Sequence, residues 1–387
     1  GCNTDLASGS IPANGTRFQR AAGIDSMPED MASDILRKNH GRADAALVLA
    51  LARRAVRVVD LFVDEIGLPL VLNTDAGRAG QSSFRLHNPV GRSGAPLTQA
   101  LRSALARFDR VTIADRTPGT GLILDRPDDP SSAVIGVHAG EQRIAAQKVM
   151  LATDGFGANA AMLREYIPSM AGVEYIGAQG NTGDGIRWGI AAGAATAHMG
   201  SFQGHGLVCA GYGTRLVPEV PFLGAIIVNH AGVRFDREDQ GYSELAPAVL
   251  AQPGGTAICI IDQRIVDTLA TTVHLRDTMA AGALRRAASL DELAASFTLD
   301  PAVLAQTFDT YYRGVSEHRD AFGRTQFGLA LAPPYYAARI TGALAALHLF
   351  AQRLRGVLLG ELPNLDAKRL DVGRHAVFHA WFASFWH

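Results

Sequence analysis

The sequence predicts an α/β fold, α+β overall, and three observations carry that expectation. Glycine is abundant, 41 of 387 residues, as a chain with many tight turns and close backbone approaches requires. Two stretches, "KVMLATDGFGAN" and "GNTGDGI", run into glycine turns of the kind that border ligands in α/β sheets. Strand-like and helix-like apolar patterns both recur along the chain. The length suits two domains with sizeable cores, or one large one.

The charge is balanced, with 36 basic against 37 acidic residues and a net charge of -1. That gives no electrostatic reason to expect a nucleic-acid or anionic-membrane partner. The three cysteines, Cys2, Cys209 and Cys259, lie far apart. They form neither a metal-ligand spacing nor a disulfide framework, which suits a reducing cytoplasm. No metal site is expected. The most apolar helical stretch, Ala45 to Val63, is broken by Arg53, Arg54 and Arg57, so it reads as an amphipathic helix and not a membrane span.

The elements follow in order. Residues 1–27 are rich in turn formers. A helix is expected over Pro28–Lys38 with Ser26 as N-cap and Pro28 in its first turn. A second runs from Asp44 to Ile66 and ends at Gly67. "SSFRLHNPVGRSG" is a loop feeding a helix from about Pro96 to Phe108. "RVTIAD" reads as a strand. "SSAVIGVHAGEQRIAAQKVMLATDGFG" reads as a hairpin, then a buried strand over Lys148–Thr153, then a glycine turn. Beyond Ser201 come strands in "GAIIVNHAGVRF" and "TAICIIDQRI", helices in "LDELAAS" and "PAVLAQTFDTYYRGVSEHR", and a returning strand in "LAPPYYAARITGAL".

In "GNTGDGI", Asp184 can accept a hydrogen bond from a sugar or polyol hydroxyl, while Gly183 and Gly185 let a backbone come close. Either glycine turn alone is equally well read as an ordinary strand or helix terminus. Together with "GCNTDLASGSIPANGT" at the start they form a longer pattern. The chain resembles the flavoprotein subunits of the fumarate reductase and succinate dehydrogenase family, a group that includes soluble fumarate reductases and 3-ketosteroid dehydrogenases. The opening segment is similar to the family's "GGNT…SGG…GT", "VMLATDGFGAN" to "VVLATGGF" with Asp154 in place of a glycine, and "GNTGDGIRWGIAAGAATAHMGSFQGH" to "G.TGDGI…A..AGA…M..IQ.HP".

The resemblance implies a discontinuous FAD-binding Rossmann-like domain with an inserted α+β capping domain. On this sequence the FAD-binding part would be residues 1–200, the capping and substrate domain 201–342, and a deviant C-terminal segment 343–387. Residue by residue, it implies Asn3, Thr4, Ser8, Gly9, Ala152, Thr153, Thr182, Gly183 and Asp184 around FAD. It also implies a small-molecule substrate, and an electron partner that is a separate carrier, because no haem-attachment or iron–sulfur cysteine pattern is present.

Both ends depart from the family pattern. The family's first strand, GxGxxG turn and ribose-binding acid have no counterpart, so truncation at the N-terminus and weakened FAD affinity are expected. After "RITGAL" the family's glycine turns are replaced by "ALAALHLFAQRLRGVLLGELPNLDAKRLDVGRHAVFHAWFASFWH". A change of reading frame or a degenerate end is one expectation for this tail; a divergent family member with its own C-terminal helices is the other. His348, His375, His379 and His387 within it show no metal-ligand pattern.

The resemblance also places a substrate site. Gln203 and His205 in "SFQGH" match the family's "Q.H", which implies a histidine holding a substrate carboxylate or carbonyl. Glu219 in "VPEVPF" loosely matches a proton-relay acid, but the arginine expected after it is absent. In "VRFDREDQGYSELAPAVL", Tyr242 stands where fumarate reductases carry their proton-donating arginine. A tyrosine supplies neither a permanent cation nor a guanidinium fork. It could act as a base if its pKa were lowered, and it argues for a less acidic, ketone-activated substrate. Arg92 or Arg237 is an alternative substrate clamp. His87 is expected to shape a loop, and Tyr336 to pack in the core.

The functional expectation is an FAD-dependent oxidoreductase that transfers hydride between flavin and a C–C bond of a small ketone-activated or carboxylate substrate. Tyr242, His205 and Glu219 are its catalytic candidates, and Gln203 and His205 contact the substrate. The alternative from another class is a non-catalytic remnant that no longer binds FAD.

Overall fold

The computed structural model describes residues 2–317, 319–347 and 350–352. These form two compact units. One comprises residues 2–3, 101–203 and the described residues from 345 on; the other comprises 4–100 and 204–344.

The first unit carries a three-stranded antiparallel sheet, Gly119–Leu124, Val134–Ala139 and Gln142–Ala145, in that order. Its hairpin was legible from "VIGVHAGEQRIA", where strand residues flank a two-residue turn. Helix Ala160–Tyr166 starts at Asn159, whose side chain accepts the amides of Ala161 and Met162. Helix Asp184–Ala191 follows the glycine turn. A short ladder joins Ala195–Ala197 to Phe350–Gln352.

Two expectations fail here. Residues 110–115 and 148–153 form no strand. Both stretches have β-forming residues, but neither has a described strand alongside to accept its ladder hydrogen bonds, and Met150 remains 48% exposed. A strand is a paired object, and propensity alone does not make one.

The second unit contains the larger core. Its main sheet runs Ile226–Val228, Thr256–Asp262, Tyr335–Leu347, Phe202–Cys209 and Thr214–Arg215, with Arg285–Ala287 beside Tyr335–Leu347. Strand Thr256–Asp262 is buried at six of its seven positions, which is why the run "AICII" within it is apolar and does not alternate. Helices Tyr242–Leu250, Leu290–Phe297 and Pro301–Ser316 bury Leu245, Leu293, Leu304 and Phe308 in the same core. Each such side chain contributes about 1.5–3 kcal/mol by leaving water.

A second helical pair belongs to this unit. Helix Pro28–Lys38 begins as expected, but Ser26 is not its cap. The Asp30 carboxylate takes the Met27 amide at 2.7 Å instead, while the Ser26 hydroxyl lies 2.5 Å from the Asn14 amide and 3.0 Å from the Ser83 hydroxyl. Helix Ala45–Asp60 continues through a π-helical turn, Leu61–Ile66, and stops at Gly67 with φ of 84°. The small sheet Ile11–Pro12, Leu86–Asn88, Val71–Asn73 completes the unit. The α/β class therefore holds in its α+β form, helices with antiparallel ladders. Among the described residues, no helix is long and apolar enough to cross a membrane, and no cluster of three or more metal-ligating side chains occurs.

Candidate active site

The site in the second unit is built on strand Phe202–Cys209 from Gly204 onward, which carries the buried His205. Gln203, two residues earlier and also buried, belongs to the first unit. Glycines 204 and 206 flank the histidine. A Cβ on Gly206 would lie 2.7 Å from the Ala246 amide nitrogen, and one on Gly204 would lie 2.7 Å from the Ala246 Cβ. Helix Tyr242–Leu250 can therefore lie directly on the strand. The Ser243 hydroxyl fastens it by donating to the Gly204 carbonyl at 3.1 Å. This packing brings the rings of Tyr242 and His205 to a centroid separation of 4.8 Å.

His205 Nδ1 accepts the Leu207 amide at 3.3 Å, so a neutral ring carries its proton on Nε2. The Tyr242 phenol is pushed up to about 12. Burial is the main cause, opposed by the positive charges of Arg78 and Arg215 and reinforced by Glu219 and Glu244. The lowered pKa that a tyrosine base requires is thus not found. The phenol is held protonated, as a donor.

Glu219 is buried, and sequence reasoning found no arginine for it. The structure supplies two, from a distant segment. Arg78 pairs with Glu219 Oε1, and Arg92 Nη1 reaches the same oxygen at 3.1 Å. Asn73 adds a longer contact at 3.4 Å. Arg92 also pairs with Asp75 and donates to Asn73 at 3.1 Å. This leaves Arg92 already engaged, and Arg237 is a half-buried residue near Asp239 and the Gly323 carbonyl.

Arg215 was missed altogether. It sits in the short strand Thr214–Arg215, and its Nη2 donates to the Leu6 carbonyl and, at 3.0 Å, to His274 Nε2. An arginine can only donate, so His274 is the acceptor and is neutral. Burial, then the charge of Arg215, pushes its pKa down to about 3. Nothing in "GTRLVPE" marks Arg215 apart from one cation at the head of an apolar run.

The residues assigned to FAD fall in both units. In the first, Asn3 donates to Asp154 at 2.7 Å and accepts the Ala178 amide at 2.7 Å. Ala152 and Thr153 are exposed, and Asp184 accepts the Thr182 hydroxyl at 2.6 Å and pairs with Arg187. Gly183 and Gly185 are explained by protein packing: a Cβ on the first would meet Met162 Sδ at 2.5 Å, and on the second Thr153 Oγ1 at 2.2 Å. In the second unit, Thr4 lies in the turn Asn3–Leu6 and Gly9 is buried. Asn88 donates to the Ser8 carbonyl at 3.0 Å and to the Ser10 hydroxyl at 2.8 Å, while its own Oδ1 is buried and has no hydrogen-bond partner. Within the second unit, the Ser8 and Ser10 hydroxyls and the orphaned buried acceptor of Asn88 fit the polyol chain of a cofactor.

His87 is a structural residue. It is fully buried, 2.9 Å from the Thr16 hydroxyl and 3.1 Å from the Ile11 carbonyl. Tyr336 donates to Gln263 at 2.6 Å within the main sheet. The expectations for His348, His375, His379, His387 and nearly all of the tail lie outside the described residues.

The FAD binding domain family matches residues 1–349. The chain belongs to that family. It is an FAD-dependent oxidoreductase family, and FAD is the cofactor. The chain is 29% identical to an NADH:fumarate oxidoreductase of Klebsiella pneumoniae, with 99% of this chain and 40% of that protein aligned. Its fold matches the open conformation of a flavocytochrome c3 fumarate reductase with a TM-score of 0.68 at 28% identity, covering 89% of this chain and 61% of that one. A 3-ketosteroid-Δ4-(5α)-dehydrogenase from Rhodococcus jostii shares the fold with a TM-score of 0.64 at 20% identity, covering 89% and 77% respectively. The chain thus spans less than two thirds of the fumarate-reducing relatives. No finding supports the reading as a non-catalytic remnant.

Proposed function

We propose that this FAD binding domain chain carries the substrate-converting centre of an oxidoreductase acting on a C–C bond polarised by a neighbouring carbonyl or carboxylate. The observation that carries this reading is the His205–Tyr242 pair, 4.8 Å between centroids, in a cluster with Arg78, Arg215 and Glu219. Bound flavin supplies or accepts the hydride.

The chain's own residues supply the rest. His205, with its proton on Nε2, donates a hydrogen bond to the activating oxygen and stabilises the charge that develops there. Tyr242 holds the matching proton. With its pKa near 12 it gives that proton to a carbanionic carbon more readily than it would take one from a C–H bond, so the reading favours reduction. Glu219 is a positioning residue that fixes Arg78 near the phenol. Electrons arrive from a separate carrier.

Replacing Tyr242 by Phe in the flavin-loaded protein tests this. Reoxidation of reduced flavin by an electron-poor alkene should slow by about 10²–10⁴-fold, the usual scale for loss of a general acid, with bound flavin unchanged. A rate close to wild type removes Tyr242 from the mechanism.

A further inference from the structure

We propose that Arg215 is the receptor for a single substrate carboxylate, and that the chain therefore takes α,β-unsaturated monocarboxylates in preference to dicarboxylates or neutral enones. The inference rests on the oxidoreductase reading and narrows its substrate class.

The first observation is a charge deficit. Four cations, Lys38, Arg78, Arg92 and Arg215, gather in this part of the second unit with three carboxylates, Asp75, Glu219 and Glu244. Lys38 pairs with Glu244 at 2.7 Å, and the two other arginines share Glu219 and Asp75. Arg215 is left without an ion pair among the described residues. Its neighbours are neutral groups, the Leu6 carbonyl and His274 Nε2.

The second observation is geometric. Those two contacts use only Nη2. Arg215 Nη1 and Nε have no partner among the described residues. The residue as a whole is half-buried. Desolvation of a guanidinium is costly, so a half-buried one with spare donors and no counter-ion is a strong site for an anion. The third observation is location, because Arg215 and the Tyr242 phenol lie within each other's field. An anion on Arg215 is held beside the proton donor.

One spare cation matches one carboxylate. A second carboxylate would meet Glu219 and Glu244 with no further free cation to hold it. A neutral ketone would leave Arg215 uncompensated.

Calorimetric titration of the flavin-loaded protein with crotonate, fumarate and cyclohexenone tests this without turnover. Crotonate is expected to bind most tightly. Arg215→Gln should weaken it by at least about 10-fold, Arg215→Lys should fall between, and cyclohexenone should be insensitive to either change. The wild-type ranking needs no variant and so stands even if one fails to fold. Crotonate binding that is absent, weaker than fumarate or cyclohexenone, or unchanged in a folded Arg215→Gln protein overturns the inference. If cyclohexenone reoxidises the flavin but crotonate does not bind, the clamp fails and the oxidoreductase reading survives. If crotonate binds through Arg215 but no probe reoxidises the flavin, the oxidoreductase reading fails and the clamp survives.

Discussion

The second unit holds two arginine clusters that differ in one respect. Around Glu238 every charge is matched. Arg234 grips Glu238 through two contacts of 2.7 Å and Asp320 at 2.6 Å, and Arg324 reaches Glu238 at 3.1 Å. Both guanidiniums also lie over the Tyr311 ring, at 4.4 and 5.2 Å. Burial alone would lower the pKa of Arg234, but Glu238 and Asp320 outweigh it and raise it. Around Tyr242 the match is incomplete, and burial lowers Arg215 with no carboxylate to restore it. The first cluster is a structural joint. The second has unspent charge, which is what a binding site needs before its ligand arrives.

Mutations should separate the two. Glu238→Gln leaves two buried guanidiniums with Asp320 alone as counter-charge and should cost about 3–5 kcal/mol, read as a large fall in melting temperature. Arg215→Gln removes a cation that burial disfavours, so its melting temperature should stay level or rise, with a change within about 1 kcal/mol. Equal losses from both would erase the distinction.

A smaller effect should appear with pH. His274 titrates near 3 in the fold against about 6.5 in an unfolded chain. Between those values the unfolded state binds the extra proton, so stability falls as pH drops through that window. His274→Gln keeps an acceptor for Arg215 and removes the titration. Its melting temperature should fall less steeply between about pH 6.5 and 3 than that of the wild type. Part of the slope will remain, because burial also lowers His87. An unchanged slope would mean that His274 is not the neutral partner of Arg215.

Much of the second unit was legible in the sequence, because its elements carry their own signals. "AICII" is apolar throughout and becomes part of a strand covered on both faces, and Pro28 and Gly67 mark a helix start and a helix stop. The failed strands at 110–115 and 148–153 depended on partners that local pattern does not encode. The site shows the same split. His205 and Tyr242 were proposed from short motifs, and the glycines beside His205 explain why their rings meet. Arg78, Arg215 and His274 were missed because their meaning is relational. Arg78 lies 141 positions from the carboxylate it pairs with, and Arg215 is informative only for the ion pair it lacks.

The central claim is that this site converts a polarised alkene with flavin and Tyr242. The most direct measurement is anaerobic. The flavin-loaded protein is bleached with dithionite, the excess is removed, and crotonate is added while the flavin band is followed. The account predicts that the band returns, and that it returns far more slowly in Tyr242→Phe. A flavin that stays bleached with crotonate, fumarate and cyclohexenone alike would contradict it.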